Sequence, residues 1–147
     1  MPILPVCQGA WSRRDQAIEV VTFVSGILKL QSGKLWSSGF LGAHCDIGGG
    51  YTSRELSDMT LRWMQEKAGA LGLALDAVSV GGQNYLGEFT DSYAQFLGGV
   101  YAKKNPRHYR AVLRTPFGNE TIDESVVRRR KEDCDYEPQN NGLPRLT

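Results

Sequence analysis

The sequence predicts an α/β domain with a small, incomplete sheet and helices packed on it. Three observations predict this class. Residues Gln16 to Leu30 are rich in β-branched and apolar types. Leu35 to Ala43 form a short apolar run that feeds a glycine-rich loop. Thr52 to Leu71 then show the clearest helical period in the chain.

In chain order, Met1 to Asp15 read as irregular, with two prolines, a glycine and the basic pair Arg13-Arg14. The run Gln16 to Leu30 fits a buried strand or a buried helix, because periodicity alone does not separate them. Ser32-Gly33-Lys34 is a turn signal. Leu35-Trp36 to Ala43 is expected to be a strand. In the next segment Thr52 and Glu55 have capping-box spacing. Leu56, Met59, Thr60, Trp63, Met64, Ala68 and Leu71 share one face, and Gly72 is a stop. Arg62 and Glu66 form an i,i+4 pair on the opposite face. Leu73 to Gly87 is expected to be loop, broken at Gly81-Gly82. Phe89 to Lys103 has a second helix-like pattern, weakened by Gly98-Gly99 at about 1 kcal/mol each. Tyr109 to Leu113 has the composition of a strand, and Asp133 to Thr147 that of a turn-rich tail.

Bulk properties narrow the function classes. At 147 residues the chain suits one domain with a real core. Hydrophobic residues at 41% and charged residues at 22% exclude intrinsic disorder. A net charge of +1 gives no global pull toward nucleic acid or an anionic membrane. The run Arg128-Arg129-Arg130-Lys131 has no interleaved aromatics and is expected to be solvated, so no nucleic-acid partner is implied. Cys7, Cys45 and Cys134 are an odd, dispersed set, which argues against a disulfide framework and favours a reducing compartment. The N-terminus is a poor signal peptide, and the apolar stretch Ile18 to Leu30 is too interrupted to span a bilayer. A cytoplasmic location is expected on those grounds.

The segment Gly42-Ala43-His44-Cys45-Asp46-Ile47-Gly48-Gly49-Gly50-Tyr51 concentrates the chemistry. Its three consecutive glycines permit positive φ and close backbone approach. It runs toward a helix start, where free N–H groups favour an anion or oxyanion. His44 has the chemistry of a general base. Asp46 can orient a histidine, bind a polar group or hold the loop through the backbone. The plainer reading is a hydrogen-bonded structural histidine on a tight turn. No Walker lysine and no GxGxxG spacing follow, so no nucleotide cofactor is implied. His44, Asp46 and Cys45 are too few for a metal site without a second cluster.

The run Phe40 to Tyr51, followed by Leu56-Ser57-Asp58-Met59-Thr60-Leu61-Arg62-Trp63-Met64, resembles the α/β-hydrolase family of type VI secretion phospholipase effectors. That family's pattern is aromatic-x-G-x-H-x-D-(V/I)-GGGY, then a helix opening L-S-D and holding R-W-M. Thr90-Asp91-Ser92-Tyr93 resembles its Asp-Ser element. Glu120 to Arg129 resembles its (I/V)-H-x-S-V-x-x-R element, with Asp123 where histidine is usual. Tyr136-Glu137-Pro138-x-Asn140 resembles its terminal Y-x-P-x-N. The resemblance divides the chain into a divergent segment 1–35, the C-terminal part of a hydrolase domain at 36–143, and a tail at 144–147.

The resemblance implies a partial α/β-hydrolase fold and hydrolysis of carboxylic, phospholipid-type esters without a cofactor. It implies His44 as the triad histidine, with Asp46, Gly48, Gly49, Gly50 and Tyr51 shaping or supporting the loop, or forming its oxyanion side. The chain departs from the family in one respect: it holds no Gly-x-Ser-x-Gly elbow. Residues 1–43 are too few for the βα units that would carry one. Inactivity of the chain alone is therefore expected, and a lipid or ester is its substrate only when the missing half completes it. Ser57, Ser92 and Ser125 are the serines nearest to substitutes, each in an element with a structural reading. The competing expectation is a non-catalytic module that pairs with a full-length relative, or with itself, through an uncovered sheet edge. A weaker third is an anion or metal binder at the His44–Gly50 loop.

Overall fold

A computed structural model of the chain describes residues 21–26, 36–109, 111–114 and 120–146. The turn expected at 32–34, the irregular start and most of the 16–30 run lie outside those residues. Strand β1, Val21–Gly26, is followed by β2, Trp36–Leu41, and later by β3, Glu120–Ile122. They form one sheet in the order β1-β2-β3. β1 runs antiparallel to β2, with Val21 opposite Leu41 and Gly26 opposite Trp36. β2 and β3 run parallel, with Ser37 opposite Glu120 and Gly39 opposite Ile122. A parallel pair needs a crossover, and here residues 42–119 supply it. The architecture is thus mixed helix and sheet, as expected, with the central strand where the sequence placed it.

The central strand is buried on both faces. Ser38, Phe40 and Leu41 are buried together, which is the pattern of a covered strand rather than a half-wet one. Successive side chains alternate. Phe40 meets Trp63 edge-on at 5.8 Å, whereas Leu41 joins a cluster with Leu56, Tyr85, Val112, Val126 and Tyr136.

Helix α1, His44–Gly48, and helix α2, Glu55–Gly69, follow β2. The expected face of α2 is the packed one: Leu56 and Thr60 are buried, and Met59 lies against the cluster. Burying a leucine such as Leu56 stabilises by roughly 1.5–3 kcal/mol. Arg62 and Glu66 pair at 3.0 Å on the outer face, both side chains more than half exposed. The expected capping box at Thr52 and Glu55 does not form. Arg54 is the N-cap, without a side-chain cap bond, and Ser53 instead donates to the Glu55 carboxylate. That hydrogen bond is the main reason the Glu55 carboxyl is held below its ordinary range.

The second helical pattern is broken into α3, Ser92–Gln95, a 3-10 turn, Phe96–Gly99, and α4, Val100–Lys104. Leu97, Gly98 and Gly99 take left-handed backbone, which ends one helix and starts the next. The strand expected at Tyr109 to Leu113 is not one in its described residues. Val112 is instead a buried plug whose N–H donates to Asn141 O at 2.8 Å. The C-terminal turns are as irregular as expected but are no free tail, because Tyr136 and Asn140 are buried.

Helix α5, Glu124–Glu132, follows β3 after an N-cap at Asp123, whose Oδ1 accepts from the Ser125 N–H at 2.9 Å. This helix corrects the expectation of a solvated basic run at one position, Arg129, while Arg128 and Lys131 are exposed as expected. Arg129 is 6% exposed. Its guanidinium donates to Gly87 O at 2.6 Å, Tyr85 O at 3.1 Å and Asp133 Oδ2 at 3.0 Å. It also lies over the rings of Phe89 and Tyr136, at 4.7 and 5.1 Å. Arg128 stacks on Tyr85, and Arg130 donates to Pro144 O at 2.6 Å. A planar five-donor group suits this position, since it satisfies carbonyls and stacks on aromatics at once. Tyr85 donates to Glu132, which raises the Tyr85 phenol above its ordinary value. Burial pushes the Tyr136 phenol up further.

Cys134 is disulfide-bonded and Cys45 is free and exposed. The odd, dispersed cysteine set therefore does not keep Cys134 unpaired, as the sequence had suggested. Among the described residues no helix is long and apolar enough to cross a membrane.

Removing the Arg129 fork leaves two carbonyls and a carboxylate without their buried donor. Arg129→Ala is expected to cost about 3–5 kcal/mol in urea unfolding. Arg62→Ala, which breaks only an exposed pair, is expected to stay within about 0.5 kcal/mol.

Candidate functional site

The site begins where β2 ends. Gly42 has φ +120°, a conformation that L side chains rarely adopt, and a Cβ there would lie 2.9 Å from Asp46 Cβ. Only glycine meets both conditions. Ala43 returns to extended backbone and caps α1, so the chain reverses within two residues and His44 opens the helix.

Asp46, in the first turn of α1, is buried at 5% exposure. Its Oδ2 accepts the Ala43 N–H at 2.8 Å and the Thr90 N–H at 3.1 Å. The first bond is the reach-back half of a capping box. The second ties the loop to a segment 44 residues away. Of the three roles open to Asp46 in the sequence, holding the backbone is the one observed.

The glycine run closes α1. Gly49 is its left-handed C-cap, with φ +76°. The N–H groups of Gly49 and Gly50 both go to Cys45 O, the second at 2.8 Å, which is a Schellman-type finish. Those two N–H groups are engaged by the turn itself. A Cβ on Gly48 would meet nothing within 4 Å. Tyr51 sits against Cys45 and Asp46; burial first, then those two neighbours, raise its phenol above the ordinary value.

His44 is exposed. Among the described residues no hydrogen bond, ion pair or ring contact engages its imidazole. A groove of ≈ 460 Å³ lies beside the glycine turn, lined by Gly48, Gly49, Tyr51, Arg54, Ser57 and Asp58 among others. His44 does not line it. The structure therefore brings Asp46, the glycines and Tyr51 into one pinned turn, with His44 on its outer side.

The three serines have no link to that histidine. Ser57 Oγ donates to Arg54 O at 3.1 Å within α2. Ser92 opens α3. Ser125 is buried, and its Oγ has no described hydrogen-bond partner. It lines a second groove of ≈ 470 Å³ with Phe40, Trp63 and Arg128. Among the described residues no three His, Cys, Asp or Glu side chains group as a metal site requires.

The later family-like elements are structural here. Asp91 caps α3 through a bond from the Ala94 N–H and pairs with Arg107 at 2.6 Å. Asp123 caps α5, which gives a physical reason for a carboxylate at the position where the family has histidine. Arg129 and Tyr136 are buried against each other. Arg129 and Thr90 were named only within family-like elements, and the structural role of each was missed. Arg129 had a usable signal: it lies three and four residues after Val126 and Ser125, on the same helix face as these two buried residues. Thr90 had none, because its backbone N–H is the group that matters.

An exposed, unpartnered histidine contributes little to folding, whereas the Asp46 carboxylate satisfies two backbone donors. His44→Ala is expected to leave stability within about 0.5 kcal/mol of the parent. Asp46→Ala is expected to cost about 2–4 kcal/mol. Gly42→Ala should be destabilising by at least about 2 kcal/mol and Gly48→Ala close to neutral. Thermal and urea melts of the four variants check the ranking.

No family model, no curated protein and no solved structure matches the chain.

Proposed function

We propose that this chain is the C-terminal part of a serine lipase- or phospholipase-like α/β-hydrolase acting on carboxylic esters, with His44 as its triad histidine. The observation that carries the reading is the exposure of His44. The residues around it are committed to fixing the turn, and the one side chain with general-base chemistry is left free of structural work. In this reading His44 takes the proton of a serine and returns it to the leaving alcohol. Both other members of the triad come from outside these 147 residues. No Gly-x-Ser-x-Gly occurs in them, and Asp46 is occupied by the Ala43 and Thr90 amides.

A second reading is a non-catalytic module that pairs with a full-length relative. The sheet order favours it, since β3 lies at one edge and has only β2 as a described neighbour. An open edge recruits another strand. A stable monomer in size-exclusion chromatography would count against this reading.

Turnover of short acyl p-nitrophenyl esters tests the first reading. The isolated chain is expected to show none above buffer. Activity is expected on co-expression with the segment encoded immediately upstream, where that frame carries a Gly-x-Ser-x-Gly elbow, and His44→Ala is expected to abolish it. Activity of the isolated chain lost on His44→Ala, or a completed enzyme indifferent to that substitution, would overturn the proposal.

A further inference from the structure

The turn between α3 and α4 displays apolar side chains that the core does not use. Leu97 is 68% exposed, and Phe96, Val100 and Tyr101 are exposed with it. These four lie within six residues, whereas scattered single apolar residues are what an ordinary surface shows. The display is held in place from beneath. The Tyr93 hydroxyl donates to Asn105 O at 2.5 Å and lies 3.2 Å from Ala102 O. The Tyr101 ring packs edge-on against both Tyr93 and Phe96, at 6.0 and 5.6 Å. Arg107 stacks on the Tyr93 ring at 4.3 Å and pairs with Asp91. Leu97 itself has φ +52°, a strained choice for a leucine.

Charge identifies the occupant. Lys103 and Lys104 close α4 just behind the apolar tip, and both are exposed. Neither pairs with a described acid. From Ser92 to Asn119 the sequence holds Lys103, Lys104, Arg107, Arg110 and Arg114 and no aspartate or glutamate, and of these Arg107 is balanced by Asp91 just before the window. The net charge of +1 conceals this local asymmetry. An apolar tip flanked by basic groups suits an interface with hydrocarbon at one level and anionic headgroups at the next. Nucleic acid fits less well, because the most exposed side chain of the tip, Leu97, offers no stacking face and the Tyr101 ring is engaged edge-on by Tyr93 and Phe96. A second copy fits less well too, because a two-fold contact through this tip would bring like-charged flanks together.

We propose that residues 96–104 form a wedge that docks the chain on an anionic lipid surface. Phe96 and Leu97 enter the acyl boundary, and Lys103 and Lys104 meet the headgroup charge. This inference does not rest on His44 and stands if the hydrolase reading fails.

Flotation with phosphatidylcholine vesicles, with and without about 30% phosphatidylserine, tests it. The chain is expected to float with the anionic vesicles and far less with the neutral ones, and salt is expected to weaken binding. Leu97→Asn, which suits left-handed backbone, is expected to reduce binding about tenfold with an unchanged thermal melt, and Phe96→Ser, which also removes the packing on Tyr101, is expected to reduce binding at least as much. Lys103→Ala combined with Lys104→Ala is expected to do the same. No flotation with anionic vesicles overturns the proposal, as does flotation that both tip variants retain. It is also overturned if the tip variants abolish self-association, or the lysine variants abolish oligonucleotide binding, in a chain that ignores vesicles.

Discussion

One carboxylate oxygen organises the region around His44. Asp46 Oδ2 accepts an amide from the residue before α1 and another from Thr90. The first bond fixes how the chain leaves β2. The second fixes where the crossover passes on its way to α3. Charge-assisted bonds to a buried carboxylate are among the stronger ones a fold contains. Arg129 holds the same crossover segment a few residues earlier, through the carbonyls of Tyr85 and Gly87. Between them a buried anion takes N–H groups and a buried cation takes C=O groups, so a segment almost without regular structure is fixed at both ends. Its backbone groups have little ladder pairing, and side chains supply the partners instead.

Much of the fold was legible because it follows from period and burial. The β2 strand and the packed face of α2 came from local pattern, and Arg62 and Glu66 pair as their spacing required. The misses share a cause. The residues Thr52 and Glu55 fit a cap by spacing, yet Ser53 captured the Glu55 carboxylate first. Tyr109 to Leu113 has strand composition, but Val112 finds its backbone partner in the distant Asn141. The arginine run read as surface, although one of its members lies between two aromatic rings. In each case a competing partner, remote or adjacent, overrode the local rule.

The candidate site was legible in composition and not in geometry. The sequence singled out His44, Asp46 and the glycines as a unit, and they are one. It could not assign their division of labour. The aspartate turned inward to the backbone, the Gly49 and Gly50 amides closed a helix, and the histidine was left outside. Exposure is a three-dimensional property, and three adjacent polar residues give no clue to which will be buried. The exposed apolar turn at 96–101 was hidden for a related reason. Its apolar residues have the spacing of a core helix, and only the left-handed break at Leu97 to Gly99 turns them outward.

Asp46 serves the backbone and leaves His44 unencumbered. Residue-resolved amide hydrogen exchange tests it most directly. The Ala43 and Thr90 amides are expected to be protected well beyond ordinary loop amides, and both to lose protection together in Asp46→Ala. Free exchange of either amide in the parent chain, or protection at Thr90 that survives the substitution, would contradict it.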